Sequence, residues 1–259
     1  MYDDLKSALA APGAWLYSAW VIFLIKYRKT TLGPLWIMIG PAMFILVLGE
    51  LFRNVAANSN DMFVPHLAAG LVFWNYVSSI VTTAPRLYVH NRPALLHGAV
   101  NHFNIILKVI CSALIVLAHQ LVIVIGVMIL HRVAPTASLI LLIPAAALAL
   151  VHSVWVLIVL GILGARYRDL AEVVEMMMRI AFLATPIIWM VGDHGRGSVV
   201  GLYLALNPFY HVIEPLRGAI IGTPISPWSW VVSTAIAIIG VALATTMYRR
   251  FRHLVVLWT

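Results

Sequence analysis

Charge is scarce in this 259-residue chain: Asp, Glu, Lys and Arg supply 10% of it, against about 25% in an ordinary soluble domain. Too little polar surface is left to clothe a globule in water, which excludes a cytosolic enzyme, a secreted disulfide scaffold and a disordered protein. Cysteine is almost missing as well. Cys111 stands alone in an apolar run, so neither a disulfide framework nor a CxxC metal site exists. No GxxxxGK[ST] loop occurs, and no glycine precedes a lysine anywhere. HExxH, GxSxG and Cys/His groups at zinc spacing are also absent. We therefore expect no catalytic residues, no metal site and no cofactor held by this chain. The opening Met1-Tyr-Asp-Asp-Leu-Lys6 puts two acids where a secretory leader needs a basic region, so a leader is not expected.

What the chain has instead is apolar length. The hydrophobic set reaches 63%, against roughly 45–50% in soluble domains. Six stretches, 32–52, 64–87, 103–130, 137–163, 173–191 and 228–248, are each long enough to cross a bilayer as a helix, which takes roughly 17–25 residues, some with tilt to spare. Pro41, Pro144 and Pro186 lie inside them and are tolerated in membrane helices. The apolar run Ala14–Ile25 is too short to cross. With its aromatics and the cations that follow, it predicts an amphipathic interface helix over about 3–29. The segment 199–222 is apolar but broken at Asn207-Pro208, and it carries Glu214 and Arg217. Two short re-entrant or interfacial, periplasmic helices before the last span satisfy those features. Glu214 and Arg217, three apart, are expected to offset each other, with Pro215 starting a helix. No repeat or linker divides the chain, which reads as one all-α transmembrane domain, 1–259.

The net charge of +8 would suggest nucleic acid in a soluble domain; here it sets orientation, and no nucleic-acid partner is expected. Only Arg53, Arg132, Arg196 and Arg217 fall on one side of the six spans. All other Lys and Arg fall on the side of the termini, which makes both termini cytoplasmic.

Four clusters stand above this background. Lys26-Tyr27-Arg28-Lys29 can hold lipid phosphates or an anionic lipid-linked substrate, or can serve as plain positive-inside anchoring. The loop Arg86–His97, with His90, Asn91 and Arg92, mixes basic, aromatic and apolar residues as a docking surface does. Arg166, Arg168 and Asp169, with Glu172 and Glu175, open the next span, either as a helix start with local ion pairs or as a partner contact. Asn207, Tyr210, Glu214 and Arg217 place costly polar groups at the outer boundary. His211 and Glu214 are the one close His/carboxylate pair, and a hydrogen-bonded structural pair fits them better than a catalytic one. Of the aromatics, Trp36, Trp74, Tyr76, Trp155 and Trp189 read mainly as interface belts and Phe44 as helix packing.

Read in order, several motifs carry a resemblance. They are Tyr27-Arg28 with Leu32-Gly-Pro-Leu-Trp36, Phe63-Val-Pro-His-Leu-Ala-Ala-Gly70, Leu117-Ala-His-Gln120, Arg166-Tyr-Arg-Asp-Leu170, Thr185-Pro-Ile-Ile-Trp189 and Asn207-Pro-Phe-Tyr-His-Val-Ile-Glu214. The chain resembles the permease subunit of type-2 ABC exporters of O-antigen and related polysaccharides. That resemblance implies a homodimer in the bacterial inner membrane with two copies of a cytoplasmic ABC ATPase, which would handle ATP and Mg. The cargo it implies is an undecaprenyl-pyrophosphate-linked glycan moved from cytoplasm to periplasm. Lys26–Lys29 would meet its pyrophosphate at entry, His90–Arg92 and Arg166–Asp169 would couple to the ATPase, and Asn207–Arg217 would gate the outer end. A permease of the same fold for teichoic acid, galactan, a lipid or a drug is the alternative. The stretch Ala19–Ile25 lacks the acid that often precedes the basic run in such proteins, and Asn101-His-Phe replaces a common proline.

Overall fold

Runs of Leu, Ile, Val and Ala meet no water inside a bilayer, so each must close its backbone hydrogen bonds within itself as a helix. The computed structural model describes residues 2–55, 61–96, 101–190 and 199–258, and it shows helices and no strand among them. The chain begins with α1 (Tyr2–Ala10) and α2 (Pro12–Tyr27), bent 71° from each other. Next come α3 (Trp36–Val55) and α4 (Phe63–Thr83). A 3₁₀ turn, Ala84–Arg86, leads into the short α5 (Leu87–His90) and α6 (Arg92–Leu96). The long α7 (His102–Leu130) and α8 (Leu142–Arg166) follow. Then come α9 (Leu170–Ala184), α10 (Val199–Leu206), α11 (Pro208–Ile221), α12 (Pro227–Phe251) and α13 (Val255–Trp258).

Five segments among the described residues are long and apolar enough to cross a membrane: Gly33–Leu51, Phe63–His90, His102–Leu130, Ala137–Arg166 and Pro227–Phe251. The stretch expected at 173–191 behaves differently. Its helix, α9, has 15 residues, about 22 Å at 1.5 Å per residue, which falls short of the hydrocarbon core. Thr185 turns extended (φ −92°, ψ 138°), as a residue before proline prefers. Pro186 therefore ends the helix.

The N-terminal pair runs along α7. Asp4 takes a hydrogen bond from Tyr248 (2.9 Å) near the end of α12, and its carbonyl accepts from Asn101 at the foot of α7. The Phe23 ring packs on His119, 5.1 Å between centroids, some 18 residues or about 27 Å further along that helix. Leu16, Tyr17, Trp20, Ile22, Leu24 and Ile25 are exposed on several sides of α2, while Ala19 and Phe23 face α7.

Small residues let the long helices close up. Gly240 of α12 lies against the Trp155 ring of α8, and Gly164 of α8 lies against the Pro85 backbone. Polar side chains tie the same helices at depth. Trp155 donates to His152 Nδ1 (3.0 Å), which leaves Nε2–H of that ring for Ser233 (3.0 Å). Tyr76 bonds Ser153 (2.8 Å), and Asn75 donates to Gln120 (3.3 Å). His119 keeps to its own helix through the Ile115 carbonyl (2.7 Å).

Candidate functional site

Both described chain ends meet at one end of the bundle, here its foot. Arg252 donates to Asp4 (3.0 Å) alongside Tyr248. Burial raises the Asp4 carboxyl, but the Tyr248 hydrogen bond and the Arg252 charge outweigh it and hold the group below the usual carboxylate range. α5 and α6 lie at this end too. Lys108 donates to Asn91 (2.6 Å), whose amide donates to the Leu87 carbonyl (2.7 Å). His90 and Arg92 stand exposed; His97 lies outside the described residues.

Arg86 joins this segment to α9. Its two terminal nitrogens fork onto Glu172 (3.0 Å) and Glu175, in the first turns of α9. Local pairing of Arg166 and Arg168 with those acids does not form. Arg166 instead lies over the Trp258 ring of α13 (5.5 Å), while Arg168 and Asp169 are exposed. A Cβ on Gly164 would fall on the Pro85 carbonyl, and one on Gly161 would meet the Tyr88 ring. The turn that carries Arg86 is thus held on α8 while its side chain reaches α9.

Lys26, Arg28 and Lys29 are exposed and make no ion pair among the described residues. Lys26 lies over the Tyr27 ring (5.4 Å), which packs on Phe23 (5.2 Å). The structure does not bring these cations together with α9.

Between α3, α4 and α9 lies an open groove of about 590 Å³. Its footward half carries Ser78, Thr82, Glu175 and Arg179, and its upper half Phe44, Trp74 and Phe182. The three aromatics touch: Trp74 to Phe182 at 5.7 Å, Phe44 to Phe182 at 6.1 Å. Phe44 and Trp74 are therefore groove wall as well as helix packing. Tyr76 is taken by an interhelical hydrogen bond to Ser153, Trp155 by His152 of its own helix, and Trp189 by the Leu183 carbonyl (3.1 Å).

At the head of the bundle α10 and α11 fold in as a hairpin. Asn207 caps α11, its oxygen accepting from the backbone of Phe209 and Tyr210 (3.0 and 3.2 Å). Its amide reaches back to Thr185 Oγ1 (3.1 Å), and Tyr203 donates to the Ala184 carbonyl (2.8 Å). Arg217, 6% exposed, donates to the Pro186 carbonyl (2.6 Å) and to His66 Nε2 (3.2 Å) at the start of α4. The hairpin therefore satisfies the backbone that α9 leaves open, and α9 needs no further turns because α11 descends to meet it.

Glu214 and Arg217 do not pair directly: no ion pair within 4 Å joins them. Tyr210 donates to Glu214 (2.9 Å), and so does Ser229, which in turn lies 2.9 Å from His211 Nδ1. His211 Nε2 faces the Ala205 carbonyl (3.0 Å). Ser229 thus bridges the acid and the histidine. Pro215 lies inside α11, which starts at Pro208.

His66, Arg86 and Ser229 were not among the expected site residues. His66 had a visible signal, a polar ring in an apolar span; Arg86 opened the loop read as a docking surface without being singled out, and Ser229 had no signal.

The ABC-2 type transporter family matches residues 14–221, a range that takes in α2, the groove, the Arg86 turn and the whole hairpin. The chain belongs to the ABC-2 type transporter family. Over 187 residues, 71% of this chain and 70% of its relative, it is 25% identical to the O-antigen export system permease protein RfbA of Myxococcus xanthus. Membership makes this chain a multi-pass membrane component of a transporter and implies an ATPase that works with it.

Proposed function

We propose that this chain is the membrane-spanning subunit of an ATP-driven exporter that moves an undecaprenyl-pyrophosphate-linked polysaccharide such as O-antigen from cytoplasm to periplasm. It acts as a homodimer in the bacterial inner membrane, both termini cytoplasmic, with two ATPase subunits that bind ATP and Mg. The observation that most supports this reading is the groove between α3, α4 and α9. It is tied at its foot to the α5–α6 segment through Arg86, and the α10–α11 hairpin meets its wall helix at the head. A second copy facing the open side closes it into a conduit, with Phe44, Trp74 and Phe182 offering faces on which sugars stack.

In this reading Lys26, Tyr27, Arg28 and Lys29 receive the pyrophosphate at the entry. His90, Asn91 and Arg92, with Arg166, Arg168 and Asp169, meet the ATPase. Asn207, Tyr210, Glu214 and Arg217 hold the outer end shut between transport events. The 25% identical relative named as an O-antigen export permease supports the choice of cargo.

The test is co-expression with the neighbouring ATPase in cells that make a lipid-linked glycan but lack their own exporter. Glycan at the cell surface, lost when the ATPase cannot hydrolyse ATP, is the expected result. Surface glycan that persists without the ATPase, or never appears with a well-assembled complex, would refute the cargo assignment.

A further inference from the structure

The groove holds a cation that spends no hydrogen bond on the fold among the described residues. Arg179 is the tenth residue of α9, about 13 Å along that helix from its start. It lines the groove with Asn75, Ser78 and Thr82. It makes no hydrogen bond or ion pair among the described residues, although Glu175 is one turn below it. Glu175 is already taken by Arg86. The guanidinium's donors are thus unspent beside an amide and two hydroxyls. A cation at such depth in a membrane helix is costly and is kept where it serves a pathway. Cations nearer the foot, such as Arg250 over the Phe251 ring, have the interface within reach and need no such account.

We infer that Arg179 is the phosphate-binding residue of the groove: with Ser78 and Asn75 it takes the diphosphate of the lipid-linked cargo, below the aromatic trio that takes the first sugars. This rests on the reading of the chain as a glycan-lipid permease and adds where the charged link sits after entry. The chemistry decides the class of ligand. A planar guanidinium forks onto phosphate oxygens, the Ser78 hydroxyl and the second Asn75 amide hydrogen donate to the remaining ones, and Trp74, Phe44 and Phe182 lie further up. Glu175, neutralised by Arg86, does not repel the anion as a free carboxylate would. Footward-to-headward, the order of polar groups and then aromatics matches diphosphate and then sugar.

The full chain in nanodiscs of uncharged lipid provides the test, with undecaprenyl phosphate as probe and undecaprenol and phosphatidylglycerol as comparators, read by native mass spectrometry. Arg179→Gln is expected to weaken undecaprenyl phosphate binding at least tenfold. Arg179→Lys should keep part of it, because an ammonium still attracts phosphate without the fork. Arg250→Gln should bind as wild type. The thermal midpoint of Arg179→Gln should be unchanged, since Arg179 holds nothing in the fold. Equal binding by Arg179→Gln, or equal retention of undecaprenol, overturns the inference. If phosphatidylglycerol competes one for one, the groove binds bilayer lipid and not cargo, and the inference fails too. The same variants in the export assay separate the two readings. Wild-type export with an unaffected Arg179→Gln sinks this inference alone, whereas absence of wild-type export sinks the proposed function.

Discussion

The two ends of the bundle hold charge in opposite ways. At the head, Arg217, Glu214, His211 and His66 are almost wholly buried, and each finds its partners among backbone carbonyls, hydroxyls and rings. At the foot, Arg86, Glu172, Glu175, Asp4 and Arg252 form ion pairs that water reaches. Buried groups lose much when a partner goes, because nothing replaces it. Water-exposed pairs form and break at little cost in either direction. The head is thus built as a closure that stays shut unless something moves it, and the foot as a set of contacts that can be exchanged during a cycle.

That contrast breaks most readily at Arg217. Arg217→Ala removes the donor to the Pro186 carbonyl and to His66 and leaves a void inside α11. A loss on the order of 2–3 kcal/mol is expected, seen as a lowered unfolding midpoint of the purified chain in nanodiscs. Arg217→Lys should recover only part of it. An unchanged midpoint for the alanine variant would show that the head is not the rigid end.

Gly164 probes the foot's one rigid feature. A methyl group there meets the Pro85 backbone, which cannot step aside as a side-chain tip can. Gly164→Ala should destabilise the chain by about 1–3 kcal/mol. Gly126→Ala, where nothing lies within 4 Å, should be neutral or slightly stabilising. Equal behaviour of the two in a denaturation series would contradict the close approach of α8 to the Arg86 turn.

Arg86 itself should show the reverse pattern, with a small effect on stability and a large one on work done. Arg86→Ala is expected to unfold near the wild-type midpoint, yet to uncouple ATP hydrolysis by the partner subunit from the presence of cargo. Exchange of charges in Arg86→Glu with Glu175→Arg should restore the coupling. If cargo still stimulates hydrolysis normally in Arg86→Ala, the ion pair is mere surface decoration.

The contrast also shows what the sequence made legible. Apolar length placed the long helices, because hydrophobicity over some twenty residues is a local property. The Asn207-Pro208 break was readable for the same reason: Asn caps and Pro begins a helix wherever they occur together. Pro186 was misread as a tolerated kink. Whether a proline bends or ends a membrane helix depends on who satisfies the freed carbonyls, and Arg217, Asn207 and Tyr203 lie far along the chain. Arg86 finds Glu175 after 89 residues, and Arg217 finds His66 across 151. No periodicity encodes such a meeting. The acids beside Arg166 and Arg168 looked locally satisfied, so nothing in the residues themselves pointed to a distant arginine.

The smallest expected effect lies at Asp4, where the foot can be loosened by acid. Its folded-state acidity is shifted below the ordinary carboxylate value, so the contacts with Tyr248 and Arg252 favour the ionised form. Their contribution is therefore complete at pH above about 3.9, the unfolded value, and fades as pH falls through the lower folded value. Between pH 7 and 5 the hold of α1 on the end of α12 should not change. Below about pH 4, amide hydrogen exchange in Tyr2–Ala10 should quicken before that of α4 or α8 does. Asp4→Asn should show the quicker exchange at every pH and lose the acid dependence, whereas Tyr248→Phe should keep the dependence and shift it upward. An acid response that begins in α11 instead would reverse the assignment of the exchangeable contacts to the foot.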